Sequence, residues 1–226
     1  MTSSNRVRAW DVPTRVFKWL LVVAVAAAWA TNKYAVAYPE WHKWSGYAVL
    51  TLVMFRVLWG FCGGYTARFS SFVAGPRTVA HYAWAEMRGR GRHFLGHNPL
   101  GGWMIIALLC AVGAQAVFGL FSAAEDWMGI EGPLARRVSD ATVDTATRLH
   151  RLGFDVILCL VAVHVAANVF GDLFRRAERI RGMITGSKPR AEYVDAAEAA
   201  AGSMLMAAFC LLAAILAVLA IVGLFS

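Results

Sequence analysis

The sequence predicts an all-α membrane protein: a four-helix transmembrane bundle with a fifth transmembrane helix at the C-terminus. Three observations predict it. Hydrophobic residues make up 59% of the 226 residues and charged residues only 16%, whereas a soluble domain is about 25% charged. The apolar residues fall into five runs, each close to the ~20 residues that cross a ~30 Å hydrocarbon core. Lysine and arginine alternate in abundance between successive loops, as topology requires.

The first run extends from Val16 to Tyr38 and is most apolar over Trp19 to Ala30. Residues 1–15 before it are polar and basic, and no small-residue cleavage site follows it, so it is expected to stay as the first helix. The second run is His42–Phe61, the third Gly101–Ala123, the fourth Arg148–Phe170 and the fifth Ala200–Phe225. Trp19, Trp41, Trp44, Trp59, Trp103 and Trp127 stand near run ends, where indole rings prefer the interface. Fifteen Lys and Arg residues lie in the N-terminal segment and the loops after runs two and four, against six on the opposite side. The positive-inside rule then places the N-terminus in the cytoplasm and the C-terminus in the periplasm of a bacterial inner membrane.

Between runs three and four, Ala124–Thr147 is acidic and long enough for a short surface helix, broken at Gly132-Pro133. Met87–His93 reads as a polar linker. The fifth run has no ionisable residue and follows the polar stretch Ala191–Ala199. Residues 1–175 are therefore expected to form the functional core, and 176–226 a cytoplasmic linker and an added helix. The formal charge of +8 is explained by topology and does not indicate nucleic-acid binding. Cys62, Cys110, Cys159 and Cys210 lie in or beside apolar runs without a CxxC, and read as small apolar side chains.

Histidines carry the functional signal. His150 and His164 lie 14 residues apart on the fourth run. At 100° per residue this is within ~40° of four full turns, so both rings leave nearly one face, ~21 Å apart along the axis. Ionisable residues inside a membrane are costly and mark functional sites, and imidazole is an axial haem ligand. The pair suits two haems at different depths. His42 opens the second run at the level of His150. It reads either as the opposing ligand or as an interfacial residue in Trp41-His42-Lys43-Trp44.

Arg56 stands 14 residues after His42. It would meet an inner-haem propionate or snorkel to the cytoplasmic interface. Lys18 is at the depth of His164. It could bind iron only as a neutral amine, far below its usual pKa of ~10.4, and otherwise snorkels. His97, just before the third run, could line the inner haem or a quinone pocket, while His81 and His93 read as solvated.

These pieces together resemble the bacterial cytochrome b561 and nickel–iron hydrogenase b-type cytochrome group. The matching segments are Trp10-Asp11-Val12-Pro13-Thr14-Arg15, His42-Lys43-Trp44-Ser45-Gly46-Tyr47, Arg56-Val57-Leu58-Trp59-Gly60-Phe61, Gly96-His97-Asn98-Pro99-Leu100-Gly101, His150-Arg151-Leu152-Gly153 and His164-Val165-Ala166-Ala167. The resemblance implies a four-helix core with two haems b. The outer one would be bound by His42 and His150, the inner one by His164 and a histidine on the first helix. This chain departs there: Arg15-Val16-Phe17-Lys18-Trp19 stands where the family has Arg-x-x-His-Trp. Lys18 then ligates the iron, or the inner haem is five-coordinate or uses His97, or it is absent.

The implied function is electron transfer between a periplasmic partner, such as a cytochrome c or another redox subunit, and the quinone pool, in either direction. Two alternatives are a self-sufficient superoxide:quinone oxidoreductase and the membrane anchor of a hydrogenase-type complex. Lys33, Lys43, Arg148 and Arg151 would steer an anion at the outer face, whereas Glu125 to Asp144 offer an acidic docking face. Lipid surrounds the bundle, nucleic acid is not a partner, and a homodimer is among the assemblies open to it.

Overall fold

The computed structural model describes residues 5–33, 39–123, 130–175 and 177–225. Tyr38 at the end of the first predicted span, Glu125, Asp126 and Trp127 of the outer loop, and Arg176 lie outside the described residues. Among these residues five helices are long and apolar enough to cross a membrane: Val12–Lys33, Glu40–Cys62, Pro99–Phe121, Asp140–Arg175 and Met204–Gly223.

In chain order the elements are β1 (Arg6–Arg8), α1 (Val12–Lys33), α2 (Pro39–Cys62), a 3₁₀ turn (Tyr65–Ala67), α3 (Phe69–Phe72) and α4 (Pro76–Met87). Then follow α5 (Pro99–Phe121), a 3₁₀ turn (Ala135–Arg137), α6 (Asp140–Arg175), α7 (Arg179–Thr185), β2 (Ser187–Pro189) and α8 (Met204–Phe225). Helix starts follow local chemistry. Asp11 Oδ1 accepts the Thr14 N–H at 2.9 Å, which caps α1 four residues before the first apolar run begins. Asn98 Oδ1 does the same for Gly101 at 2.7 Å ahead of α5. Helix α6 starts at Asp140, eight residues before Arg148, because no Gly or Pro interrupts it and Asp140 favours an N-terminal turn. That extension and the turn at Ala135–Arg137 occupy the described part of the outer loop, where a separate surface helix was expected.

The chain divides into two compact units. The first comprises Met1–Val16, Val57–Ala107 and Leu160–Ala208. In it β1 pairs antiparallel with β2, setting Val7 against Lys188. Val7, Ala9, Trp10, Leu95 and Ala199 form a buried apolar cluster over this seam. The Asp195 carboxylate takes the N–H groups of Leu95 at 2.7 Å and Gly96 at 2.9 Å. Lys188 Nζ donates to the carbonyls of Leu95 at 2.8 Å and Phe94 at 3.2 Å. The stretch after α7 is thus a folded cap tied to the N-terminal segment and to the loop before α5. Gly186 closes α7 at φ +82°, a left-handed turn that suits glycine, and its carbonyl accepts the N–H of Ala9 and Trp10.

The second unit comprises Phe17–Arg56, Leu108–Cys159 and Phe209–Ser226. Val49 and Val53 of α2, Val112 of α5 and Ile157 of α6 pack together, with Leu21, Ala24 and Val25 of α1 against them. Leu50, Leu120 and Val218 form a second cluster with Tyr47, Leu134 and Ile221. The fifth helix is therefore packed within this unit by its Val218 and Ile221 side.

Burial lowers the Lys188 amine to about 8, helped by the nearby Arg179 charge. Unfolded, it would titrate near ~10.4. Between these values the unfolded chain holds more protons, so stability rises with pH. Chemical unfolding of wild type relative to Lys188→Met should show a gain of about 2 kcal/mol from pH 8 to 10. Parallel curves would show that this amine is not strained by burial.

Candidate functional site

Two histidines of the second unit face one another. His42, on the first turn of α2, sets its Nδ1 2.9 Å from the carbonyl of Ala28 on α1. His150 on α6 sets its Nδ1 2.9 Å from the carbonyl of Gln115 on α5. A carbonyl only accepts, so in each ring Nδ1 carries the hydrogen and Nε2 keeps its lone pair. This is how a metal-binding imidazole is oriented from behind. Each carbonyl can serve because its second lone pair remains after the helix bond is made.

The ring centres lie 6.1 Å apart with planes crossed at 87°. Two nitrogens each ~2 Å from one metal ion, with ring centres about 1 Å behind them, place the centres about 6 Å apart. The separation therefore fits a single iron held from two opposite sides. Among the described residues no group of three or more His, Cys, Asp or Glu could hold a metal ion. A two-ligand site suits a metal whose remaining positions are filled by a macrocycle.

A cavity of about 150 Å³ adjoins the pair, and its lining includes Lys43, Gly46, Tyr47, Gly119 and Arg151. Gly46 stands one turn after His42, and a Cβ there would meet nothing within 4 Å. At Gly119 a Cβ would come 3.0 Å from His150 Cε1. Glycine at these two positions keeps side chains out of the space beside the pair. The loop over the cavity is held by Gly132 N–H to Ser122 O at 2.8 Å, Leu134 N–H to Leu120 O at 2.9 Å, and Ala123 N–H to Thr147 Oγ1 at 3.1 Å. Glu131 in this loop pairs with Arg136, which holds its carboxyl below the usual range.

A family model described as prokaryotic cytochrome b561 matches residues 9–186. The chain belongs to the prokaryotic cytochrome b561 family. Membership makes it a multi-pass membrane cytochrome that transfers electrons through b-type haem. The match spans α1 to α7 and leaves α8 outside it. No curated protein and no solved structure matches the chain.

The other candidate residues of this cytochrome b561 fall as follows. His164 belongs to the first unit and is half-buried on α6. The Asn168 amide, one turn on, lies 3.2 Å from its Nε2 and donates to its carbonyl at 2.8 Å. Lys18 and Arg56 belong to the second unit; Lys18 is half-buried and Arg56 is 1% exposed. His97, in the first unit, lies between Trp10 and Phe72, with ring centres at 4.8 and 4.9 Å. His81 is exposed on α4, not on a loop, and His93 is exposed.

The sequence reading missed Gln115. Its carbonyl orients His150, and its side-chain Oε1 is buried without a hydrogen-bond partner among the described residues. The available signal was a lone amide side chain inside an otherwise apolar run. Gly46→Leu should fill the space beside His42 and lower haem content per chain while leaving helical circular dichroism unchanged. Full haem content in that variant would place the cofactor elsewhere.

Proposed function

We propose that this cytochrome b561 carries electrons across a bacterial inner membrane through two haems b, between a periplasmic redox partner and the quinone pool. The observation that carries the reading is the His42–His150 pair, with both Nε2 lone pairs free and the ring centres 6.1 Å apart. Haem b supplies a one-electron iron couple whose potential depends on its axial ligands, burial and neighbouring charge.

His42 and His150 hold the outer haem, and the Ala28 and Gln115 carbonyls fix their tautomers. Gly46 and Gly119 would keep side chains out of the space it needs. The loop through Gly132 and Pro133 limits water at its outer side. By the family pattern the inner haem takes His164, ~21 Å along the helix from His150, and Lys18 stands in the sequence where that pattern has its second ligand. Arg56, 1% exposed, is the candidate for a propionate contact at the inner haem. His97, held by two aromatic rings, lines the quinone pocket. The basic loops face the cytoplasm, so the N-terminus is cytoplasmic and the C-terminus periplasmic.

A second reading is oxidation of a small external anion such as superoxide. What favours it is that Lys43 and Arg151 line the cavity beside the histidine pair.

The test is a haem count with reduced-minus-oxidised spectra. Wild type should hold two low-spin haems per chain. His150→Ala should lose the outer one, and Lys18→Ala should lose the low-spin signature of the inner one. Unchanged spectra in Lys18→Ala would remove Lys18 from the ligand set, and one haem in wild type would remove the inner site.

A further inference from the structure

The segment between α2 and α5 holds helix α4, which the proposed electron path does not use. Its sequence is Pro-Arg-Thr-Val-Ala-His-Tyr-Ala-Trp-Ala-Glu-Met. Within the first unit α4 is tied to the ends of membrane spans at three points. Trp103, in the first turns of α5, donates its Nε1–H to the carbonyl of Ala74 at 2.8 Å, just before α4 starts. Asn98, the capping residue of α5, donates to the hydroxyl of the buried Tyr82 at 3.0 Å. Glu86, near the end of α4, pairs with Arg175, the last residue of α6. A helix fastened along its length in this way is held beside the ends of two spans.

The opposite face of α4 carries a consistent set of side chains. Arg77, His81, Trp84 and Arg88 recur at helical spacing and are all exposed. Trp84 is 55% exposed and Met87 74%. The Arg88 guanidinium sits 4.2 Å from the centre of the Trp84 ring. Tryptophan, a long apolar side chain and flanking arginines on one face are what an interfacial helix presents to a membrane surface. Arg90 and Arg92 follow at once and are also cationic. The tied face takes up the acidic residue of the helix, Glu86, so the exposed face carries no acidic residue.

We propose that α4 lies in the headgroup layer of the leaflet on the basic side and binds anionic phospholipid headgroups at Arg77 and at Arg88, with Trp84 and Met87 set into the acyl boundary. Charge complementarity selects the occupant: guanidiniums suit a phosphodiester whose charge is not already cancelled within the headgroup, and a zwitterionic headgroup of zero net charge would leave them unneutralised.

The test uses the haem-loaded full chain in a neutral detergent. Thermal unfolding is followed while phosphatidylglycerol or phosphatidylcholine is titrated in. Phosphatidylglycerol should raise the unfolding temperature saturably, and phosphatidylcholine should not. Losing one arginine near an anionic surface weakens binding roughly fivefold, so Arg77→Gln with Arg88→Gln should move the half-saturating concentration up roughly 20-fold. The haem spectrum should not change, and Arg77→Lys with Arg88→Lys should restore most of the response. An equal response to phosphatidylcholine, or an unmoved midpoint in the glutamine pair, would overturn the proposal. Depth is checked separately by subtracting the fluorescence of Trp84→Phe from wild type. The Trp84 emission should be quenched by lipids brominated near the headgroup. Quenching by aqueous iodide and not by those lipids would place α4 off the membrane.

Discussion

Two hydrogen bonds to helix carbonyls govern the site. Ala28 and Gln115 each take an Nδ1–H, which leaves both Nε2 lone pairs for a metal in two rings whose centres lie 6.1 Å apart. Neither acceptor is a side chain, so the orientation depends on where α1 and α5 lie relative to α2 and α6. The packing of Val49, Val53, Val112 and Ile157 sets those positions within the second unit. A shift of one helix by a fraction of its 1.5 Å rise would misdirect an imidazole. Core packing and ligand geometry are thus one constraint, and glycine at positions 46 and 119 is its complement, keeping volume free beside each ring.

The first unit meets a different demand. Its loops must close the ends of the spans without exposing unsatisfied backbone groups. Asp11 caps α1 and also takes the Gly64 N–H at 3.1 Å; Asp195 takes two N–H groups of the loop before α5; Asp172 takes the first N–H groups of α7, those of Arg179 and Ile180. Three carboxylates therefore satisfy donors that the bundle leaves open. His97 is fixed beside this network by Trp10 and Phe72.

Much of this was legible in the sequence, for identifiable reasons. Spans show because lipid demands continuous apolarity, and their ends deviate where a cap lies outside the apolar run, as with Asp11 and Ser139. His42 and His150 show because an imidazole in an apolar segment has a cost to justify. The carbonyls of Ala28 and Gln115 leave no residue signature, so the orienting bonds were invisible. The cap formed by 187–199 was read as linker because its partners, Val7 and Leu95, are remote in sequence. Helix α4 was missed because one face is cationic and the other mixed, which dilutes any single period. Lys18 marks the limit of pattern reading: its position suggests a ligand, while its residue type suggests a snorkelling cation.

In the proposed site two imidazoles with crossed planes share one iron. Electron paramagnetic resonance of the oxidised, haem-loaded protein reads this ligation. A strongly anisotropic low-spin signal, the signature of near-perpendicular axial imidazoles, should appear and should vanish in His42→Ala. A purely high-spin ferric spectrum, or an anisotropic signal that survives His42→Ala, would contradict it.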